Sequence, residues 1–499
     1  MSGYVDSAIF ITLFFFSAEG SALINTENAI CPEEDMVDFS HVIPCYRAKL
    51  AALPVKYSLQ GKKSLPSIEL LKYEMTSQRW SPGNLVSPDS WQHDVDMYIP
   101  DNPKSQHALV VVNNGTNYDD DIKKTSQPTN FSEKSLAEIA RSTNTIVISV
   151  SNIPNQYITY ENNKPLKEDD SVARSWALFM DGPEQRELIP LHIPMAVTVS
   201  QAMRVAKQEL KEWNINKFIV TGASKRGWTA WLSSISDPDV DAIVPFVMDL
   251  LSTDLALENM YRTYGGNWPI TFSPYYQQGI DKLIKTPNFL KLMKVEDPLR
   301  YLDSDYQSRL TIPKYIINAS GDDFYAPDNS RFYYDKLPGE KSLRVAPNSD
   351  HYGIQGVVEQ SLISFINRFQ NKTALPKLMA TVHKNKKERT LTVNFSEKPV
   401  KITRWTAINL AARDFRYVCG IRYTSSSLEI STGESVKIPL SYKAPGWEAT
   451  YIEATFHDGY VATTQVYITP DEKYPVVAPP SNGIACETLP GRGLGESKP

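Results

Sequence analysis

Residues 215–235 constrain the fold of this chain most strongly, because they combine a short strand, a glycine-flanked turn and a helix. The β-forming run 218–221 leads into Gly222, Ser224 and Gly227, and apolar residues at helical spacing follow. A strained turn of this kind holds a serine hydroxyl clear of the backbone at a helix N-terminus. The usual pattern is G-x-S-x-G, whereas here the second glycine comes three residues after the serine. Ordinary turns and helix caps also contain serine between glycines, so the motif needs partners elsewhere in the chain.

Two later loops supply the partners that a serine nucleophile requires. Residues 313–318 form another short apolar strand, and Asp322 and Asp323 follow it. The stretch 343–353 begins as a further strand and ends in a loop that carries His351. Serine, aspartate and histidine in this chain order, each after a predicted strand, are typical of an α/β-hydrolase. Either aspartate fits as the partner of the histidine, and each also fits an Asx-turn or a helix cap.

The predicted chemistry is nucleophilic catalysis. Ser224 attacks, His351 takes its proton, and the aspartate fixes the imidazole tautomer. An oxyanion hole needs two donors, and the first is predicted to be the backbone N–H of Lys225, directly after the nucleophile. The second is predicted in the loop after an earlier valine-rich strand, at Asn114 or Gly115. A glycine lets the backbone approach the site, although a plain turn would also favour one.

The texture of the sequence changes along the chain. Between residues 71 and 370, strand and helix signals alternate, as in a mainly parallel sheet with helices on both faces. The stretch 252–310 interrupts this alternation and is predicted to be an inserted lid. Beyond 371–377, period-two strands predict an antiparallel, immunoglobulin-like β-sandwich. The predicted parts are a signal peptide (1–22), an N-terminal arm (23–70), an α/β domain (71–370), a β-sandwich (378–470) and a flexible tail (474–499).

Short stretches spread over most of the chain carry a resemblance to a known family. They are MTSQRW (75–80), WQHDV (91–95), SNIPNQ (151–156), EDDSVARSWALF (168–179), PMAVTVSQAMR (194–204), FIVTGASKRGWTAW (218–231), AIVPFVMDLL (242–251), YGGNWP (264–269), PKYIINASGDDFYAPD (313–328), LPGEKSLRVAPNSDH (337–351) and ARDFR (412–416). From about residue 70 to 475 the chain resembles the PhoPQ-activated pathogenicity-related family. The resemblance implies an α/β-hydrolase-like fold. It also implies that Asp322, rather than Asp323, is the triad acid.

Three residues are predicted to bind substrate. Arg226 follows the nucleophile, and it is expected either to contact an anionic substrate or to form a salt bridge. Tyr264 and Trp268 lie in the predicted insert, where their rings suit either a substrate cleft or the core of the insert. The basic pair after Ser224 resembles the G-x-S-R-x-G elbow of carbohydrate-ester esterases. The predicted substrate is therefore a small-molecule, peptide or glycan ester or amide. The alternative is a secreted signalling protein that keeps the hydrolase scaffold and acts on a cell-surface receptor.

Charge and hydropathy limit the partners. The net charge is −5 over 499 residues, and no basic stripe suggests a nucleic-acid partner. Residues 8–18 are apolar but too few to span a bilayer, and small residues follow at 20–22, as in a signal peptide. No other stretch has the apolar length of a membrane span. The sequence therefore predicts a secreted protein.

Cysteine usage also favours export. Cys31 and Cys45 lie close together, and Cys419 and Cys486 both lie in the C-terminal part. This spacing favours the pairs 31–45 and 419–486 among the three pairings that four cysteines allow. The alternative is four free thiols in a cytosolic protein. No C-x-x-C motif or Cys/His cluster occurs, so neither a metal nor another cofactor is predicted.

Five N-x-S/T sequons add an expectation about glycosylation. Asn130, Asn371 and Asn394 are predicted to carry glycans. Asn114 and Asn318 adjoin the predicted site, so they are expected to stay unmodified.

Overall fold

The structure is a computed structural model, and the residues it describes are 38–117, 128–385, 388–429, 435–441 and 445–495. The predicted signal peptide and Cys31 lie outside these ranges. Cys45 is disulfide-bonded. In the described part of the chain, no helix has both the length and the apolar character needed to cross a membrane.

Nine strands of the described chain form one central sheet. They are β1 (Lys56–Leu65), β2 (Ile68–Arg79), β3 (Ser90–Pro100), β4 (His107–Val112), β5 (Val147–Val150), β6 (Lys217–Ala223), β7 (Val240–Phe246), β8 (Lys314–Ala319) and β9 (Lys341–Ala346). Their order across the sheet is β1-β2-β3-β5-β4-β6-β7-β8-β9. The first three strands pair antiparallel with their neighbours, and β4 to β9 run parallel. Ser224, Asp322 and His351 follow β6, β8 and β9, at the carboxyl edge of the sheet.

Helices cover both faces of this sheet. The described helices are α1 (Val42–Ala51), α2 (Glu133–Thr143), α3 (Glu168–Met180), α4 (His192–Glu209), α5 (Lys225–Ser236), α6 (Thr253–Thr263), α7 (Ser273–Gln277), α8 (Pro287–Glu296) and α9 (Gln355–Gln370). One apolar cluster joins the sheet to α1 and α3–α8, and a second joins it to α2 and α9. Within β4, Val110 and Val112 belong to the first cluster, and Leu109 and Val111 to the second. Successive side chains of a strand point to opposite faces, so a strand buried on both faces is apolar throughout.

The predicted insert lies between β7 and β8 and contains α6, α7 and α8. Its buried residues Met260, Ile280, Phe289 and Leu292 belong to the same apolar cluster as α4 and α5. The insert is therefore continuous with the main core of the domain.

The C-terminal part forms two antiparallel sheets, as the period-two pattern predicts. Its strands are β10 (Leu378–Lys384), β11 (Arg389–Phe395), β12 (Lys401–Asn409), β13 (Thr424–Ser427), β14 (Ser435–Pro439), β15 (Trp447–Thr455), β16 (Val461–Thr463) and β17 (Tyr467–Thr469). The orders are β10-β11-β14 and β13-β12-β15-β16, and β17 also pairs with β15. Apolar residues of both sheets share one cluster with α9. The predicted fold class, a mainly parallel α/β sheet followed by an antiparallel β-sandwich, is confirmed.

Ion pairs join the two domains across their boundary. Arg413 lies 2.6 Å from Asp328, and both side chains are almost fully buried. Arg368 of α9 binds Asp458 and Glu397 of the β-domain, each at 2.6 Å. Arg413 belongs to the ARDFR motif, which lies on the loop after β12 and contacts the α/β domain. The architecture therefore changes near residue 377, and ion pairs hold the two domains together across this boundary.

The N-terminal arm also belongs to the α/β domain where it is described. Its helix α1 packs into the apolar cluster of α4 and α5. Its strand β1 forms the edge of the central sheet, and residue 70, the predicted boundary, falls inside β2.

The segment 474–495, predicted to be a flexible tail, is attached to the rest of the chain at several points, although most of its residues are exposed. A short strand, Thr488–Pro490, pairs with Asn267–Pro269 of the insert. The Cys419–Cys486 disulfide ties the segment to the β-domain, as predicted. Arg492 binds the buried Asp281 at 2.6 Å. A segment rich in proline and glycine has little apolar surface, but backbone pairing, a disulfide and an ion pair hold this one in place.

The buried Arg413–Asp328 pair generates a stability prediction. Arg413→Met should lower the free energy of unfolding by about 3–5 kcal/mol, because it removes the buried cation and leaves Asp328 with only the partly exposed Arg331 and the Asn259 amide. The exposed pair Arg79–Asp89 offers a matched control, and Arg79→Met should cost less than about 1 kcal/mol. Urea unfolding monitored by circular dichroism measures both. Equal effects of the two substitutions would contradict the role given to the buried pair.

Candidate active site

Ser224 occupies the turn between β6 and α5. Its backbone lies at φ 60° and ψ −129°, and a positive φ is uncommon for a residue with a side chain. The Ser224 N–H donates to the Phe246 carbonyl at the end of β7 (2.9 Å), and its carbonyl accepts from Trp228 (3.0 Å). Every residue of α5 is buried. The serine therefore projects from a fixed turn at the N-terminus of a core helix.

The glycines around Ser224 explain the unusual spacing of the motif. A Cβ on Gly222 would lie 2.4 Å from the Arg226 carbonyl oxygen, so Gly222 packs directly on the backbone two residues after the serine. A Cβ on Gly227 would lie 2.9 Å from the Phe246 carbonyl and 3.0 Å from that of Gly222. The second glycine is thus needed at the position where the helix crosses the strands, three residues after Ser224.

His351 and Asp322 form a buried pair. His351 Nδ1 lies 2.9 Å from Asp322 Oδ2 and 3.2 Å from Oδ1. Asp322 Oδ1 also accepts the backbone N–H groups of Phe324 (2.8 Å) and Tyr325 (3.3 Å), which fixes the loop. Asp323 accepts the backbone N–H of His351 instead, at 3.3 Å. Of the two candidate acids, Asp322 is the one that contacts the imidazole ring.

The electrostatics of this pair suit a general base. Burial alone would lower the pKa of His351, but the charge and hydrogen bond of Asp322, together with the charge of Asp323, outweigh it and raise the pKa above the ordinary value of 6.5. Burial, followed by the charge of Asp322, raises the pKa of Asp323. When Nδ1–H donates to Asp322, the lone pair of the neutral ring lies on Nε2, the atom that accepts a proton from serine in this arrangement.

Ser224 and His351 line the same cavity, which we call the outer cavity and which has a volume of about 270 Å³. The ring of Phe324 packs on His351 with 4.6 Å between centroids. Tyr352, 68% exposed, lies at the mouth of the cavity. The two reacting groups of the predicted triad thus face a common solvent-open space.

The predicted oxyanion hole is only partly matched. Lys225 is the first residue of α5, where backbone N–H groups have no partner within the helix. Asn114 lines the outer cavity, but its N–H donates to Asn113 Oδ1 (3.0 Å) and its Nδ2 to Thr129 Oγ1 (2.7 Å). These internal bonds make Asn114 a loop-bridging residue. Gly115, with φ 124°, keeps the backbone conformation that glycine favours, so its N–H stays the predicted second donor.

Four charged residues form a compensated cluster beside Ser224. Lys225 Nζ lies 2.8 Å from Glu168 and 3.2 Å from Asp169, and Arg226 lies 2.6 Å from Glu168. Burial alone would raise the pKa of Glu168, but Arg226 and Lys225 outweigh it and hold the pKa below its ordinary value. Of the two roles considered for Arg226, the structure places it in the salt bridge. Two cations and two carboxylates leave this floor of the outer cavity without net charge.

Gln156 connects the cluster to the loop that carries Gly115. Its Nε2 donates to the Gly115 carbonyl (2.9 Å) and to Glu168 Oε1 (2.8 Å), and its Oε1 accepts the Glu168 N–H (3.0 Å). The motifs SNIPNQ and EDDSVARSW therefore meet at one point behind the site.

Tyr264 and Trp268 do not line the outer cavity, which corrects their assignment as substrate-binding residues. Both rings are buried, and Arg416 stacks over Tyr264 at 4.9 Å. The adjoining Gly265 lies against the C-terminal segment, where its Cβ would be 2.0 Å from the Val477 carbonyl. The YGGNWP motif thus packs the insert against the C-terminal segment 474–495.

Other residues that sequence analysis missed form a second, smaller cavity next to Ser224. This cavity, which we call the apolar subsite, has a volume of about 30 Å³ and shares Ser224, Lys225 and Asp169 with the outer cavity. Its apolar walls include Trp176, Trp228, Leu257, Met260, Phe272 and Tyr275. Helical spacing would have indicated two of them: Trp176 lies two turns after Asp169, and Trp228 one turn after Ser224.

The sequons divide differently from the prediction. Asn130 lines the outer cavity, and its side-chain oxygen is buried, so a glycan there would fill the site. Asn371 and Asn394 are exposed. Asn318 is buried and donates to the Tyr333 hydroxyl (3.3 Å), while Asn114 bridges two loops. Glycosylation stays a prediction at the two exposed sites and is not compatible with an open cavity at Asn130.

Two groups of side chains bring donor atoms close enough to share a metal ion, among the residues that the structure describes. One consists of Asp322, Asp323 and His351, the predicted acid–base pair and its neighbour. The other consists of Asp414 with Cys419 and Cys486, whose sulfurs are joined in a disulfide. The first group has a role without a metal, and the second lacks free thiolates.

The strand order and the sites of the three predicted triad residues place this chain among proteins with an α/β-hydrolase fold. The chain belongs to the PhoPQ-activated pathogenicity-related protein family, whose model matches residues 43–416. The resemblance noted from the sequence motifs is thereby confirmed.

The chain is also similar to individual proteins, one by sequence and two by structure. Autocrine proliferation repressor protein A of Dictyostelium discoideum is 29% identical over 407 residues, which are 77% of this chain and 79% of that protein. Acetyl xylan esterase 1 of a Thermoanaerobacterium species matches 68% of this chain and 95% of its own at 13% identity, with a TM-score of 0.42. An acetyl xylan esterase of Paenibacillus sp. R4 matches 71% and 99% at 13% identity, with a TM-score of 0.43.

The contacts of the two aspartates predict unequal effects of their substitution. Asp322→Asn should lower kcat by about 10⁴-fold, because an amide favours the wrong imidazole tautomer. Asp323→Asn keeps an oxygen for the His351 N–H, so its effect should stay within about tenfold. Turnover of an ester substrate measures both. The reverse ranking would show that Asp323 is the acid.

The raised pKa of His351 predicts a pH profile. A protonated imidazole accepts no proton from Ser224, so kcat/KM should fall as the pH drops through the His351 pKa. Because Asp322 raises that pKa, the midpoint of the acid limb should lie above 6.5. In Asp322→Asn the charge is lost and the burial remains, so an NMR titration of the His351 ring should show a lower pKa. A profile with no acid limb would contradict His351 as the base.

Proposed function

We propose that this protein is a serine hydrolase that cleaves a carboxylic ester through an acyl-enzyme. The observation that carries the proposal is the His351–Asp322 pair facing a cavity that Ser224 also lines. A buried carboxylate behind an imidazole has a direct use in base catalysis. The strained backbone of Ser224 supports the same role, because strain persists where the surrounding structure enforces it, often at functional sites.

The proposed reaction has two halves. Ser224 Oγ attacks the carbonyl carbon while its proton passes to His351 Nε2, and Asp322 stabilises the imidazolium. The negative oxygen of the tetrahedral intermediate accepts from the Lys225 N–H. His351 then protonates the leaving alcohol, the C–O bond breaks, and an acyl-serine remains. A water, deprotonated by His351, attacks this acyl group, the carboxylic acid leaves, and Ser224 regains its proton.

We also propose that the protein is secreted. Disulfides persist in oxidising compartments, and the described chain holds the Cys419–Cys486 bond and a disulfide-bonded Cys45. The exposed Asn371 and Asn394 are accessible to glycosylation.

A second candidate is a signalling protein that keeps the scaffold and does not need catalysis. The name of the Dictyostelium relative, a repressor of proliferation, favours it. On this proposal the partner would be a cell-surface receptor, and Ser224 would be dispensable.

The decisive measurement is covalent labelling with a fluorophosphonate probe. Wild-type protein should label, Ser224→Ala should not, and His351→Ala should label far more slowly, because the serine loses its base. His383→Ala and His457→Ala are matched controls that should label normally, since both residues lie in the β-domain away from the outer cavity. Folded wild-type protein that never labels would reject the hydrolase and favour the signalling protein.

A further inference from the structure

The structure offers two spaces beside Ser224, and they differ in size, polarity and contact with His351. Ser224 and Lys225 line both the outer cavity and the apolar subsite. His351 lines only the outer cavity. A bound ester must therefore place its two ends in different environments.

The chemistry of the reaction determines which end enters which space. The imidazole that takes the serine proton must next donate it to the leaving alcohol oxygen, so the alcohol lies on the His351 side. The acyl group then extends away from His351. The apolar subsite is the space in that direction, because it contacts Ser224 and excludes His351.

The size of the apolar subsite limits the acyl group. About 10–15 Å³ of such volume holds one water-sized group, so about 30 Å³ holds two or three such groups. We propose, on the basis of the serine hydrolase function above, that the substrate is an ester of a short acyl chain, acetyl in size, with a neutral alcohol. The outer cavity, with about 270 Å³ and open to solvent, accommodates the larger alcohol.

The walls of the apolar subsite are braced by aromatic packing. Trp176 meets Trp228 edge-on at 5.6 Å and Tyr275 at 5.3 Å. Tyr275 stacks on Phe272 (5.1 Å), and Trp268 stacks behind Phe272 (4.4 Å). Rings packed on both sides do not move apart to admit a longer chain.

A buried polar contact holds the two tryptophans from behind. Trp176 Nε1 donates to Glu296 Oε1 (3.1 Å), and Trp228 Nε1 donates to the Glu296 backbone carbonyl. The other carboxylate oxygen of Glu296 lies 2.7 Å from His192 Nδ1, and both side chains are fully buried. The polar atoms of the rings are thus turned away from the subsite, which leaves it an apolar face.

The charge cluster accounts for a neutral alcohol. Glu168 and Asp169 compensate Lys225 and Arg226 within 3.2 Å, so the floor of the outer cavity offers no unpaired charge to an ionic substrate. Thr129 and Gln355 add a hydroxyl and an amide group to its walls. Groups of this kind bind hydroxyl groups by hydrogen bonds.

The test is a series of p-nitrophenyl esters with acetyl, butyryl and octanoyl chains. Wild-type kcat/KM should fall at least tenfold from acetyl to butyryl and be negligible for octanoyl, since one methylene in a tight pocket changes rates by about 10–200-fold. Alkyl acetates with methyl, butyl and hexyl alcohols should differ much less. Equal rates for acetyl and octanoyl esters, or a length limit on the alcohol side instead, would overturn the proposal.

Variants of α6 locate the limit. Leu257→Ala enlarges the subsite and should shift the preference from acetyl to butyryl by about tenfold. Leu255→Ala, on the exposed side of the same helix, is the matched control and should keep the wild-type profile. If Leu257→Ala does not fold, Met260→Ala tests the same wall. An unchanged profile in a folded Leu257 or Met260 variant would remove the apolar subsite from substrate binding.

Labelling of Ser224 separates two kinds of failure. Protein that labels and hydrolyses long-chain esters best would reject the short acyl group and leave the hydrolase function standing. Protein that neither labels nor hydrolyses any ester would reject both.

Discussion

The site depends on one close backbone contact, between Gly222 at the end of β6 and Arg226 in the first turn of α5. Only a glycine permits this contact, and the contact forces the chain to turn through Ser224 with positive φ. Arg226 is held at two points, because its backbone packs on Gly222 and its guanidinium binds Glu168. The turn, the N-terminus of α3 and the loop that carries Gly115 are thereby held together, and the backbone of Ser224 is fixed in the turn.

Much of this arrangement could be predicted from the sequence because it depends on local pattern. Short apolar strands followed by Ser224, Asp322 and His351 indicate both the sheet and the chain order of the site. The roles of Trp268 and Tyr264 could not be predicted, because an aromatic residue in a polar insert is equally suited to a core or to a cleft. The partners of Arg226 were equally hidden, since Glu168 lies 58 residues earlier and only the fold brings the two side chains together.

The β-domain contacts the loop that carries Asp322, although it supplies none of the predicted triad residues. Tyr417 N–H donates to the Gly321 carbonyl (2.9 Å), and a Cβ on Gly321 would lie 2.7 Å from Tyr417 N. Gly321 directly precedes Asp322. The loop that carries the ARDFR motif therefore packs against the residue before Asp322. Arg413 of the buried Arg413–Asp328 pair lies in the same loop, so the pair both joins the two domains and helps to hold this contact. A long-range contact of this kind leaves no periodic signal in the sequence.

The C-terminal segment 474–495 contacts the insert at several points. Its strand Thr488–Pro490 pairs with the insert. Arg492 binds Asp281 of the insert, and the Val477 backbone packs on Gly265. The insert therefore forms a wall of the domain with contacts on both sides, and the outer cavity beside it opens to solvent near Tyr352. Enzymes with a lid that opens at an oil–water interface act on aggregated lipids. For the proposed hydrolase, a cavity that is open to solvent in this way suits substrates dissolved as single molecules in water.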